Sequence, residues 1–118
     1  MKELRDEFRK FTEERDWDQF HTPVNLAKSI CIEAAELLEC FQWSGELDDA
    51  DKEHVCEELG DVMSYCVMLA DKLDVDLKEI TLAKLEKTKL KYPVDRAKGV
   101  NTKYDKLLNA KEAADKQV

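Results

Sequence analysis

The chain has 118 residues, room for one domain with a modest core, and its 43% hydrophobic content favours folding over disorder. With 3 Gly and 2 Pro among many Leu, Ala, Glu and Lys, it favours helix over sheet. A formal net charge of −8 excludes a basic polynucleotide groove, although an acidic protein still takes a small phosphate ligand when a divalent cation bridges the two.

The first predicted helix runs from about Lys2 to Arg15, where Leu4, Phe8 and Phe11 recur at helical spacing. An aromatic-rich loop, Asp16 to His21, follows. The second helix starts at Thr22, a good N-cap, with Pro23 in the first helical position, and continues to about Trp43 before Ser44-Gly45 ends it. Its middle, Ser29 to Phe41, is nearly all apolar except for glutamates. The third runs from about Asp49 to Leu73 along a stripe of Val55, Leu59, Val62, Cys66, Leu69 and Leu73. The fourth starts near Asp76, carries Leu77, Ile80, Leu82 and Leu85, and stops near Lys91-Tyr92 because Pro93 disfavours helix in the residue before it. The tail, Val94 to Val118, is basic through Lys103; Tyr104, Leu107 and Leu108 could pack, and the last ten residues read as frayed.

Short connections between long helices predict an all-α, antiparallel four-helix bundle forming a single domain over 1–118. The second helix is apolar around much of its circumference, so the bundle is expected to oligomerise. Cys31, Cys40, Cys56 and Cys66 form no C-x-x-C pair and lie in apolar helical stretches; they read as reduced core residues of a cytoplasmic protein. No secretory leader pattern and no apolar run of about 18 residues is present, so neither export nor membrane spanning is expected.

Glu33-x-x-Glu36 lies on the second helix and Glu58-x-x-Asp61 on the third. Residues three apart share a helix face, so each pair makes a two-carboxylate claw. Both sets, 36 with 58 and 33 with 61, are centred on Leu47 in the connection, so an antiparallel hairpin brings the claws to one height. Like charges crowded this way repel, and a hard cation relieves them. Mg²⁺ suits such a site, since it takes few carboxylates, several waters and substrate phosphates, and Mn²⁺ is a possible substitute. The alternative is a solvated acidic face with lysine partners; Glu39 and Glu57 fit that description. A di-iron bundle site would want two Glu-x-x-His motifs, and neither His21 nor His54 follows a Glu at that spacing. A zinc site lacks its Cys and His spacing.

Trp17, Phe20, His21 and Trp43 flank the second helix and could stack on a nucleobase, or could simply pack the bundle end. Asn25, one turn in, could contact sugar or base. Lys89, Lys91, Arg96, Lys98, Lys103 and Tyr104 form a basic segment that could hold a pyrophosphate group, or be a solvated tail.

The segment from Arg15 to Leu26, Phe41-Gln42-Trp43, the two claws with Gly60 before Asp61, Asp61-Val62-x-x-Tyr65, Lys91-Tyr92-Pro93, Lys98-Gly99 and Lys103-Tyr104 together resemble the MazG-like all-α nucleotide pyrophosphohydrolases, in the dCTP-pyrophosphatase-like branch. The resemblance covers roughly residues 1–108. It implies that Glu33, Glu36, Glu58 and Asp61 bind Mg²⁺ and carry catalysis. It implies a base pocket of Trp17, His21 and Trp43, with Asn25 and Tyr65 nearby, and phosphate contacts from Lys89, Lys91, Arg96, Lys98 and Tyr104. The implied reaction is hydrolysis of a deoxynucleoside triphosphate such as dCTP to the monophosphate and pyrophosphate, by a tetramer built as a dimer of dimers. Many relatives carry Asn where this chain has Thr88, a shorter group with less hydrogen-bonding capacity. The competing expectation is a non-catalytic acidic helical interaction module, which would fold and act without metal.

Overall fold

Amphipathic stripes with few breakers give helices throughout. The computed structural model describes residues 1–47 and 49–106, the side chains of 49 and 50 excepted, and no strand occurs among the described residues. The helices are α1 (Lys2–Glu14), a short 3₁₀ turn η1 (Asp18–Phe20), α2 (Pro23–Glu39), α3 (Asp49–Lys72), α4 (Leu77–Lys91) and α5 (Val94–Ala97). The all-α expectation holds. The expectations placed on Leu107, Leu108 and the frayed last ten residues lie outside the described residues.

The chain divides into two compact units, Met1–Lys78 and Glu79–Val118. In the first, α3 packs against both α2 and α1. Leu26 on α2 and Val67 and Ala70 on α3 are buried there. Thr12, the buried polar residue of α1, turns its hydroxyl back to the Phe8 carbonyl at 3.0 Å, so its burial leaves no lone donor. Arg9 forks onto both carboxylate oxygens of Asp71, with its Nε 2.8 Å from Oδ2. That contact ties α1 to α3 and holds the Asp71 carboxyl below its ordinary value.

α1 and α3 end alike. After α1, Asp16 adopts a left-handed φ of 54°, the Trp17 N–H donates to the Thr12 carbonyl at 2.9 Å and the Asp16 N–H to Glu13 at 3.1 Å. After α3, Asp74 has φ 55°, with Val75 N–H on Ala70 at 3.0 Å and Asp74 N–H on Asp71 at 3.1 Å. Both are Schellman turns with aspartate where glycine is usual.

α2 begins as the sequence predicts. Thr22 caps it, its hydroxyl oxygen accepting the Asn25 N–H at 3.2 Å, and Pro23 follows. It ends at Glu39, about a turn before the expected Trp43. Cys40 and Phe41 donate to carbonyls three residues back, at 3.2 and 3.0 Å, so the backbone has tightened while the apolar pattern still continues. The four thiols are free, as expected, but none is buried: Cys40 and Cys66 are half-buried and Cys31 and Cys56 exposed. Their helical faces are ones that this single chain leaves partly uncovered.

The second unit holds most of α4 together with α5, a short helix within the segment expected to be a tail. Pro93 starts α5 by accepting the Arg96 and Ala97 N–H groups at 3.0 and 2.9 Å. The Tyr104 N–H donates to the Tyr92 hydroxyl at 3.0 Å, and the two rings meet edge to face at 6.5 Å.

Candidate metal and nucleotide site

Packing of α2 on α3 sets the claws against each other. Carboxylate oxygens of Glu33, Glu36 and Glu58 all lie within 4.8 Å of one another. Glu33 and Glu58 are half-buried, and Oε2 of each is a buried oxygen without a hydrogen-bond partner. Such acceptors are costly unless something electropositive meets them. Burial, then the hydrogen bond and charge of Glu36, then Asp61 and Glu58, push the Glu33 carboxyl up to about 7. Burial also raises Glu58, with Glu36 and Asp61 adding and His54 opposing. Asp61 is exposed and stands outside the tight trio, but close enough for its charge to act on both. Two unpartnered buried oxygens among crowded carboxylates fit a hard divalent cation.

Two further residues adjoin the trio without being among the expected site residues, His54 and Cys40. His54 sits one turn before Glu58, its Nε2 3.9 Å from Glu58 and its Nδ1 4.0 Å from Glu57. The four-residue spacing from His54 to Glu58 was the available signal. Cys40 donates its thiol to the Glu36 carbonyl at 3.6 Å, and burial followed by the Glu58 charge pushes that thiol up.

The expected base-contact residues fall in different settings. The Trp17 ring meets Phe11 edge to face at 5.6 Å. His21 is half-buried in a cleft it shares with Phe8, Thr12, Val67 and Met68. Asn25 donates its side-chain amide to the Phe20 carbonyl at 3.0 Å, so it braces the aromatic segment as well as lying beside it. Trp43, beyond the end of α2, is 91% exposed. Tyr65 is half-buried on α3, one turn past Asp61.

The basic residues belong to the second unit. Lys89 pairs with Glu86 at 2.9 Å, and the Lys91 ammonium lies 5.8 Å from the Tyr104 ring centroid. Arg96 is half-buried on α5, and Lys98 is exposed. Thr88 donates its hydroxyl to the Lys84 carbonyl at 3.0 Å, so it is turned onto its own helix.

An all-helical hairpin that gathers carboxylates around buried, unpartnered oxygens defines an acidic-centre protein suited to a hard cation. The sequence profile of the MazG-like family matches residues 28–107. The chain belongs to the MazG-like family. Mouse (Mus musculus) dCTP pyrophosphatase 1 is 34% identical over 114 residues, spanning 91% of this chain and 67% of that protein. The human (Homo sapiens) dCTP pyrophosphatase 1 is 33% identical over 125 aligned positions, spanning 100% of this chain and 74% of its own length. The crystal structure of a pyrophosphatase from Archaeoglobus fulgidus DSM 4304 superposes with a TM-score of 0.71 at 43% identity, covering 79% of this chain and 92% of that one. Among the described residues, no helix is long and apolar enough to cross a membrane.

Proposed function

We propose that this MazG-like protein is a Mg²⁺-dependent nucleoside triphosphate pyrophosphohydrolase that prefers dCTP or a related deoxynucleotide. The observation that carries the proposal is the trio Glu33, Glu36 and Glu58, with two buried oxygens that lack a partner. The similarity to dCTP pyrophosphatases supports the substrate class.

Glu33, Glu36 and Glu58, with Asp61 beside them, would hold the cation, Mg²⁺ or Mn²⁺ in its place, which would supply neutralisation of phosphate charge and acidify water. Water attacks the α-phosphorus, the bond to the β-phosphate bridging oxygen breaks, and the products are the nucleoside monophosphate and pyrophosphate. One carboxylate of the cluster takes the proton released by the water. Trp17, His21 and Trp43 contact the base, with Asn25 and Tyr65 bracing that side. Lys89, Lys91, Arg96, Lys98 and Tyr104 receive the phosphates. The helices close as an antiparallel four-helix bundle, and four chains assemble as a dimer of dimers. The activity serves nucleotide-pool control in the cytoplasm.

The test is product analysis with Mg²⁺ and a panel of canonical and modified nucleoside triphosphates. Monophosphate with pyrophosphate is expected, with dCTP among the best substrates. Diphosphate with orthophosphate would instead make the protein a γ-phosphatase. No turnover of any nucleotide would leave the acidic interaction module. Glu36→Gln and Asp61→Asn are each expected to lower kcat by roughly 10²–10⁴-fold, the usual scale for losing a positioned acid–base group. Both variants should stay folded, because each removes a repelling charge. Full activity in either would remove it from the site.

A further inference from the structure

The segment between α1 and α2 carries Trp17 and His21, yet little apolar burial holds it down. Trp17 is 45% exposed and Phe20 59%. Its own bonds are local: Phe20 N–H to the Trp17 carbonyl at 2.9 Å, His21 N–H to Asp18 at 3.1 Å, and the Gln19 amide to the Asp16 carbonyl at 3.0 Å. Asn25 adds a bond from the start of α2. These contacts shape the turn, Trp17 also meets Phe11 of α1, and His21 lies in the cleft with Val67 and Met68 of α3, yet none of them is a polar tie to α3. An ion pair links the segment to the end of α3. Lys72, the last residue of α3, donates its ammonium to Asp18 Oδ1 at 2.6 Å, across 54 positions of sequence. Lys72 is the less exposed partner, at 31% of its side chain against 63% for Asp18. The charged tip of α3 therefore grips the first residue of η1, immediately after Trp17 and three residues before His21.

We infer that the Lys72–Asp18 ion pair is a positioning device for nucleotide binding: it sets the stance of Trp17 and His21 against α3 and so acts on substrate affinity and not on the bond-breaking step. The inference rests on the reading above that Trp17 and His21 contact the base. Neither Lys72 nor Asp18 needs to touch the nucleotide. An ion pair this exposed contributes modestly, which suits a tuning role better than a structural one.

Two measurements on the full-length protein separate this inference from the reading beneath it. The first needs no nucleotide. In a Trp43→Phe background Trp17 is the one remaining tryptophan, and its quenching by acrylamide reports its exposure. Lys72→Met should raise that quenching, and Lys72→Arg should restore it. The second is steady-state hydrolysis in the presence of Mg²⁺. Lys72→Met should raise KM for dCTP by roughly two- to fivefold, the scale of an exposed ion pair, with kcat unchanged. The swapped pair Asp18→Lys with Lys72→Asp should recover part of that loss. Unchanged quenching in Lys72→Met, or a fall in kcat at unchanged KM, would overturn the inference. Changed quenching with an unchanged KM would show that the pair positions the segment while the segment does not bind the base, and the base-contact reading would fall with the affinity role.

Discussion

Within the hairpin, the Glu33 carboxyl titrates near 7 against an ordinary value of 4.5, raised first by burial and then by Glu36 and the charges of Asp61 and Glu58. Between those two values the folded chain binds more protons at this group than the unfolded chain does. Its contribution to stability is therefore complete below 4.5 and is lost as pH rises to about 7. Glu58 shifts in the same direction, moderated by His54. Asp71, lowered by Arg9, has the opposite sign and acts at lower pH. Glu33→Gln isolates the effect, because its side chain stays neutral throughout. In EDTA, the melting midpoint of the variant should gain on that of the parent as pH rises from 4.5 to about 7. With Mg²⁺ at pH 8 the order should reverse, since a cation binds the ionised carboxylates of the folded parent. A pH-independent difference in EDTA would show that Glu33 titrates normally. The acidic residues were legible in the sequence, because helical spacing and symmetry about Leu47 depend only on residue numbers. Which oxygens become buried without a partner was not legible, since that follows from how closely α2 meets α3. The bond from Asn25 to Phe20 was hidden for a similar reason: the path of a loop decides it.

Helix boundaries show the same division between local and non-local causes. The start of α2 was readable because Thr22 and Pro23 act within one turn. The ends of α1 and α3 carry aspartate where glycine would have marked them, and α5 depends on Pro93 carbonyl bonds that no periodicity signals. A left-handed non-glycine residue costs of order 1–3 kcal/mol, less for Asp than for bulkier residues. Glycine removes that strain but frees the unfolded chain, which returns about 0.4–1 kcal/mol. Asp74 also places a negative charge beside the C-terminus of α3, where the helix dipole disfavours it. Asp74→Gly should therefore stabilise the protein by about 0.5–1 kcal/mol in urea unfolding. Asp16→Gly should gain less, because the Asp16 carboxylate accepts a bond from the Gln19 amide at 3.1 Å that glycine would forfeit. Equal gains would mean that this bond contributes nothing, and a loss in Asp74→Gly would mean that the left-handed turn is not strained.

At the scale of the molecule, apolar surface among the described residues exceeds what the chain covers. Leu26, Val67 and Ala70 are the buried hydrophobic residues among those described. Ile32 and Leu38 on α2, at 58% and 72% exposure, and Leu59 and Met63 on α3, at 55% and 46%, face outward. A protein this small gains little margin from its own core, and apolar surface of this kind usually marks an interface. The proposed tetramer would cover it with further copies of the chain, and would also account for free thiols that are half-buried or exposed in the single chain. Light scattering should then give four chain masses, and the melting midpoint should fall on dilution, because association is coupled to folding. Leu38→Lys tests the face itself. It leaves the carboxylate cluster intact and adds a charge to a site whose burial contributes about 1.5–3 kcal/mol per large aliphatic side chain. The variant should shift to smaller species and melt lower than the parent at the same concentration. A parent protein that stays monomeric, with a midpoint insensitive to both dilution and Leu38→Lys, would reject the tetramer and show that the exposed apolar residues are tolerated in the single chain.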